Sequence, residues 1–237
     1  MNKKLIFLSF MLLIFAWNHL FAQSGGTRNS NISSSEYPKI ILSATVSTQG
    51  VGGDIKVLPI PTFGIRAGVS VLPFNWQTIY TGRTEPTDLK LDADFANAHL
   101  MFDWHPISGR YNLLDKIVIT AGGAYWWKDK GTAVISYRGN YNYGDIVIPS
   151  DDLGQLKGEV QWKKVTPYLG LGLENILSDR TINLGFAIGA YYMGKPDATL
   201  TGTKMLSANV SNSEQFEKNM SFYRFLPVLQ VNLNFNL

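Results

Sequence analysis

Residues 182–192 read INLGFAIGAYY. Ile182, Leu184, Phe186, Ile188, Ala190 and Tyr192 form one set, and Asn183, Gly185, Ala187, Gly189 and Tyr191 the other. Successive strand residues point to opposite faces, so this period of two describes a strand with one apolar side and one small or polar side. Its length matches the ~9–11 residues of a tilted strand that crosses a bilayer.

The same alternation recurs along the chain. In residues 39–48 Ile40, Leu42, Ala44 and Val46 oppose Ser43, Thr45 and Ser47. A turn through Gly50-Val51-Gly52-Gly53 leads to 54–59, where Ile55 and Val57 oppose Asp54 and Lys56. Residues 63–72 set Ile65, Ala67, Val69 and Val71 against Arg66, Gly68 and Ser70. Residues 96–104 set Ala98, Leu100, Phe102 and Trp104 against Asn97, His99, Met101 and Asp103. Further strands fall at 116–128, at 168–174 and at 229–237, where Leu229, Val231, Leu233, Phe235 and Leu237 alternate with Gln230, Asn232, Asn234 and Asn236. The phase slips near Phe95–Ala96 and near Lys163–Lys164, where bulges are expected.

These segments make eight strands. Short links (60–61, 106–112 and 177–180) alternate with long ones (73–87, 129–158 and 197–222), as in an outer-membrane barrel. The expected fold is therefore all-β, an antiparallel up-and-down transmembrane barrel over residues 39–237. Residues 132–138 and 143–148 are expected to pair as a hairpin, and the count becomes ten if that hairpin enters the membrane. Ser211-Asn212-Ser213-Glu214 reads as a capping box opening a short helix through Phe216–Met220.

Composition agrees. Only 16% of the 237 residues are charged and 45% are hydrophobic, against about 25% charged in ordinary soluble domains. There is no cysteine, which excludes disulfides, thiolate chemistry, Cys-type zinc sites and a lipidated N-terminus. Residues 1–22 read as a secretory signal peptide: Lys3 and Lys4, an apolar run from Leu5 to Ala16, and Ala22 at the cleavage site. That run is too short to span as a helix. Removing it leaves 19 basic and 18 acidic groups, so nucleic acid is not an expected partner. Residues 23–38 are a Gly/Ser-rich lead-in.

An inward-facing lipocalin-like core is excluded by the Gly, Ala, Ser and Asn of the second face, which cannot build a dry interior. The continuously apolar face requires lipid instead. Trp104, Tyr125, Trp126, Trp127, Trp162, Tyr168, Tyr191 and Tyr192 lie toward strand ends and are expected to form aromatic girdles.

Several segments resemble a family of small bacterial outer-membrane β-barrels of the OmpW and OmpA type. They are Gly64-Ile65-Arg66-Ala67-Gly68, Phe102-Asp103-Trp104-His105-Pro106, Pro167-Tyr168-Leu169-Gly170-Leu171-Gly172, Gly194-Lys195-Pro196 and the terminal Phe225…Leu237. The resemblance implies the Gram-negative cell envelope as location and contact with outer-membrane lipid and lipopolysaccharide. It also implies delivery by the barrel-assembly machinery, whose usual C-terminal aromatic is replaced by Leu237, with Phe235 two residues before it.

Candidate chemistry is sparse. His19 leaves with the signal peptide, and His99 and His105 match no H-E-x-x-H or G-x-S-x-G spacing. No cofactor, metal or catalytic residue is assigned. Asp88, Asp92 and Asp94, and Asp145, Asp151 and Asp152, read as solvated faces, without the spacing of a calcium loop. Arg66, Asp103 and Glu174 face inward at a similar height and are expected to form a lumen ion-pair cluster, an Arg flanked by two carboxylates. Lys56, Lys116 and His99 add polar groups to the lumen. The expected function is a monomeric, structural or binding, porin-like barrel with a closed lumen and its C-terminus in the periplasm. The alternatives are a narrow conduit for small solutes and a lipid-modifying enzyme.

Overall fold

The structure is a computed structural model that describes residues 37–81, 86–107, 113–143, 145–177 and 181–237. The signal segment, nearly all of the lead-in and parts of four connections lie outside the described residues. Along the chain come β1 (Lys39–Ser47), β2 (Gly50–Ile60), β3 (Phe63–Tyr80), β4 (Thr87–Trp104) and a 3-10 turn (Leu113–Lys116). Next are β5 (Ile117–Tyr137), β6 (Tyr141–Tyr143), β7 (Ile146–Ile148), α1 (Ser150–Leu153) and β8 (Gln155–Gln161). The chain continues with β9 (Val165–Leu173), β10 (Ile182–Tyr192), β11 (Asp197–Gly202), a 3-10 segment (Lys204–Asn212), α2 (Ser213–Met220) and β12 (Phe225–Asn236).

Eight of these strands close a ring in the order β1-β2-β3-β4-β5-β9-β10-β12, every pair antiparallel. The closing pair runs from Ile41 opposite Asn236 to Ser47 opposite Gln230. Closure satisfies every strand edge, which a sheet surrounded by lipid requires. One end of the ring, the short-turn end, carries both termini of the barrel and the turns after β2, β4 and β9.

The wall is uneven in height. β1, β2 and β12 have 9, 11 and 12 residues, whereas β3, β4 and β5 have 18, 18 and 21. Val71 is the last residue of β3 opposite β2, and β3 then continues to Tyr80, roughly 30 Å farther at ~3.3 Å per residue. Above that point β3, β4 and β5 are joined by β8, which pairs with β5, and by β11, which pairs with β8. The result is a five-stranded fin on one side of the barrel. α2 lies on it: the Phe216 ring occupies space that a side chain on Gly158 would fill, and the Ser213 hydroxyl donates to Leu200 O at 3.2 Å.

Three expectations need correction. The long connections are largely strand, because 72–80, 87–95 and 128–137 extend the barrel strands upward. Residues 132–136 pair with β8 rather than with 143–148, and Tyr141–Tyr143 pairs with Ile146–Ile148 in a small hairpin of its own. The ring therefore stays at eight strands. The bulge expected near Phe95–Ala96 is present, in the β4–β5 pair, while β3–β4 runs unbroken through Leu72 opposite Phe95. The extra residue is Trp127 on β5, between Asn97 opposite Trp126 and Ala96 opposite Lys128. What changes in β4 is the surroundings of its two faces. At Lys163–Lys164 the strand does break, between β8 and β9. At α2 the capping box is not made: Asn212 is the N-cap without a side-chain bond, and Ser211 donates to Ala208 O.

Candidate functional site

The barrel interior is filled in two layers. Near the short-turn end, the inward residues of β2, β3, β4 and β5 bring Asp54, Lys56, Arg66, His99, Asp103 and Thr120 together, and Glu174 follows β9. Lys56 is the hub, with its ammonium 2.7 Å from Glu174 Oε2 and 2.9 Å from Asp103 Oδ2. Arg66 bridges the other two acids, 3.3 Å from Asp103 Oδ1 and 3.6 Å from Asp54 Oδ2. Thr120 donates to Asp103 Oδ1 at 2.7 Å. All of these groups except the partly exposed Glu174 are buried.

Two imidazoles flank the network. His99 Nε2 lies 2.8 Å from Asp54 Oδ1 and its Nδ1 lies 3.0 Å from the Asn97 amide; His105 Nε2 lies 3.2 Å from Glu174 Oε2. A neutral His99 donates from Nε2 to Asp54 and accepts at Nδ1 from an Asn97 amide turned to present its nitrogen. A charged His99 donates from both nitrogens. In either state three carboxylates are matched by two permanent cations and two imidazoles. A buried charge without a partner costs several kcal/mol, so the mutual pairing is what lets these groups fill the lumen.

The sequence-derived cluster is regrouped. Arg66 is flanked by Asp54 and Asp103, not by Asp103 and Glu174; Glu174 is held by Lys56 and His105. Lys116 stands apart, donating to Ile176 O at 3.2 Å. Asp54 and His105 carry contacts that spacing did not assign to them. Asp54 shares its inward parity with Lys56, which was the available signal, whereas His105 lies past the last residue of β4 where parity no longer applies.

Above the ions lies an aromatic layer. Met101, Ala124, Trp126, Tyr168, Tyr191, Met193 and Val228 form one buried cluster, with Phe95, Trp162 and Leu226 packed against it. Trp126 meets Tyr191 edge-on at 5.4 Å between ring centres and Phe95 at 5.9 Å, and Tyr168 lies 4.8 Å from Tyr191. The indole of Trp126 donates to Thr166 Oγ1 at 2.8 Å. Gly170 and Gly189 face inward beside Tyr168, whose phenol occupies the space their side chains would take. An eight-stranded ring leaves an interior that side chains can fill, and here they do.

No protein-family model matches the chain, and no curated protein matches it. Among solved structures it is similar to Acinetobacter baumannii CarO, with 22% identity and a TM-score of 0.59, over 83% of this chain and 97% of that one. It is likewise similar to Acinetobacter baumannii CarO2, with 20% identity and a TM-score of 0.61, over 84% and 99%. The fold is that of a small outer-membrane β-barrel.

On this barrel Trp104, Tyr125, Trp127 and Tyr192 are half-exposed on the outward face. Trp126, Tyr168 and Tyr191 are not girdle residues, since they are the core of the aromatic layer. Trp126 keeps the inward parity of Thr120, Gly122 and Ala124, and the extra residue at Trp127 resets the alternation only beyond it, while Tyr168 and Tyr191 keep the parity of the inward glycines. Trp162 is also drawn inward, 5.6 Å from Phe95, with its indole donating to Tyr223 O at 2.9 Å. At the C-terminus Phe235 sits between Leu42 and Ile182, and the exposed Leu237 donates its amide to Ile40 O.

Proposed function

We propose that this chain is a monomeric outer-membrane barrel, structural or binding in role, whose lumen is closed by its own side chains. The observation that carries this is the stacking of a paired-ion layer beneath a buried aromatic layer, which together occupy the interior. The short-turn end and the C-terminus face the periplasm and the fin stands outside the cell, in keeping with short periplasmic turns and longer external connections. Nothing in the lumen supports hydrolysis: the imidazoles contact Asn97, Asp54 and Glu174, and neither contacts a hydroxyl.

Single-channel recording of the refolded protein in planar bilayers tests the reading. The wild-type chain should give no steady conductance, and the Trp126→Ala/Arg66→Ala double variant should open a measurable leak because it removes one filling group from each layer. A stable wild-type conductance whose ion selectivity changes in Arg66→Ala would replace closure with the narrow conduit. Ser70 Oγ and Arg66 Nε favour that second reading, being buried without a hydrogen-bond partner among the described residues, as groups that border water are.

A further inference from the structure

Three connections meet above the wall formed by β9, β10 and β12. Residues 162–164 and 221–224 are tied where the Trp162 indole donates to Tyr223 O, and 193–196 joins them where the Met193 amide donates to Arg224 O at 2.7 Å. The side chain of Lys163 packs across Gly194, and the Lys164 carbonyl accepts from the Trp126 amide. Lys163, Lys164, Lys195 and Arg224 thus stand on these tied connections, all exposed.

Lys195 is matched by Glu217 at 2.7 Å. Among the described residues, Lys163, Lys164 and Arg224 form no ion pair with an acid. The fin's cations are mostly matched, Lys128 by Asp94, Lys130 and Lys157 by Glu159, and Arg138 by Asp88. Unmatched positive charge is thus concentrated in one sector.

Directly below that row the wall is apolar. Val165, Tyr192 and Phe225 come first, the last two rings 5.2 Å apart. Beneath them is an open trough of about 450 Å³ lined by Ile119, Leu169, Leu171, Ile188 and Ala190. It exists because Ala190 is short, between the backbone of the inward-facing Gly170 and Gly189. Cations with no acid, one layer above a trough with no polar side chain, are complementary to a molecule with an anionic head and an acyl chain. The guanidinium and two ammoniums suit phosphate, which they can share without competing carboxylates.

We infer that this sector binds a phosphate-bearing lipid of the outer leaflet, with its phosphates among Lys163, Lys164 and Arg224 and an acyl chain in the trough beneath. The site rests on the orientation proposed above and adds a ligand to it. The test uses the refolded full chain in micelles with purified bisphosphorylated lipid A, and adducts are counted by native mass spectrometry. The same lipid with its phosphates removed is the comparison probe. The Lys163→Gln/Lys164→Gln/Arg224→Gln variant should lose affinity about a hundredfold, as expected for three basic groups at an anionic lipid surface. Ala190→Phe, which fills the trough from a lipid-facing position, should lose about tenfold. Lys90→Gln, an exposed cation elsewhere on the fin, should bind as the wild type does. Equal binding by the triple variant, or equal binding of the dephosphorylated lipid, overturns the inference. Heat-modifiable gel migration of the same samples separates the two readings: folded migration without selective binding defeats only the lipid site, and its absence in the wild type defeats the barrel in the membrane and the site with it.

Discussion

The barrel and the fin are made from the same strands with opposite polarity. Below residue 71 of β3, Ile65, Val69 and Val71 face outward, each at least 40% exposed, and Arg66 and Ser70 face in. Above it the parity continues, but Asn75 and Gln77 now face outward while Leu72, Phe74 and Trp76 lie on the inner side. β4 does the same across Phe95–Ala96: Leu100 and Phe102 are outward below, and Asp88, Lys90, Asp92 and Asp94 are outward above. The backbone does not change hand at this line, so the solvent does. Lipid surrounds the lower wall, and water surrounds the fin, whose inner side carries the apolar set, with Phe74 and Trp76 still 47% exposed and Gly158 covered by α2.

The two regions should therefore differ most in what an ion pair is worth. Asp103 accepts from Thr120 and meets both Lys56 and Arg66 in full burial. Asp103→Ala takes one acid from each of two buried cations, leaving Lys56 only Glu174 and Arg66 only Asp54, and a broken buried pair costs about 3–5 kcal/mol. Asp94 holds Lys128 at 2.9 Å with both side chains more than half exposed, and Asp94→Ala should cost about 0–1 kcal/mol. Urea unfolding of both proteins from lipid vesicles checks this contrast; a loss below about 1 kcal/mol for Asp103→Ala would mean that water reaches the ionic layer and relieves the two cations.

The solvent boundary itself is next in size. Leu171 and Gln77 are both outward residues, one on each side of it. Leu171→Lys puts a charge in lipid near mid-wall and should cost about 2–4 kcal/mol, whereas Gln77→Lys should stay within about 0.5 kcal/mol. Similar costs at the two positions, by the same unfolding assay, would erase the boundary.

Much of this was legible in the sequence, because period two survives in every strand of the ring. The closed fold, the inward Arg66 and Asp103 and the outward Trp104 follow from parity alone. The fin escaped because its strands invert their apolar phase, and an inverted phase reads as the end of a strand when the pattern is assumed to have one solvent. Trp126 was missed because it was read as a ring at a strand end, although Thr120, Gly122 and Ala124 already set its inward parity. The partner exchange at Glu174 lay beyond reach for another reason. Parity gives the face a side chain is on, but the reach of Lys56 along the lumen depends on its length and on the space left at Gly64, where a side chain would meet the Lys56 chain.

The smallest difference concerns the tether of α2 to the barrel rim. Lys195 donates to Glu217 at 2.7 Å, and that hydrogen bond, with the ammonium charge beside it, holds the Glu217 carboxyl below its ordinary range. A carboxylate with a depressed folded value contributes above its unfolded value, and the contribution fades as pH falls through the folded one. Amide protection at Ser221, whose N–H bonds to Glu217 O, should thus weaken in acid, after correction for intrinsic exchange. Glu217→Gln isolates the tether: it should lower protection modestly at neutral pH and make the fall in acid shallower. Identical pH profiles for Glu217→Gln and the wild type would leave α2 held by Phe216 against Gly158 and by Ser213 on Leu200 O. The fin would then be fastened to the barrel by its apolar inner face, with its surface charges serving solubility.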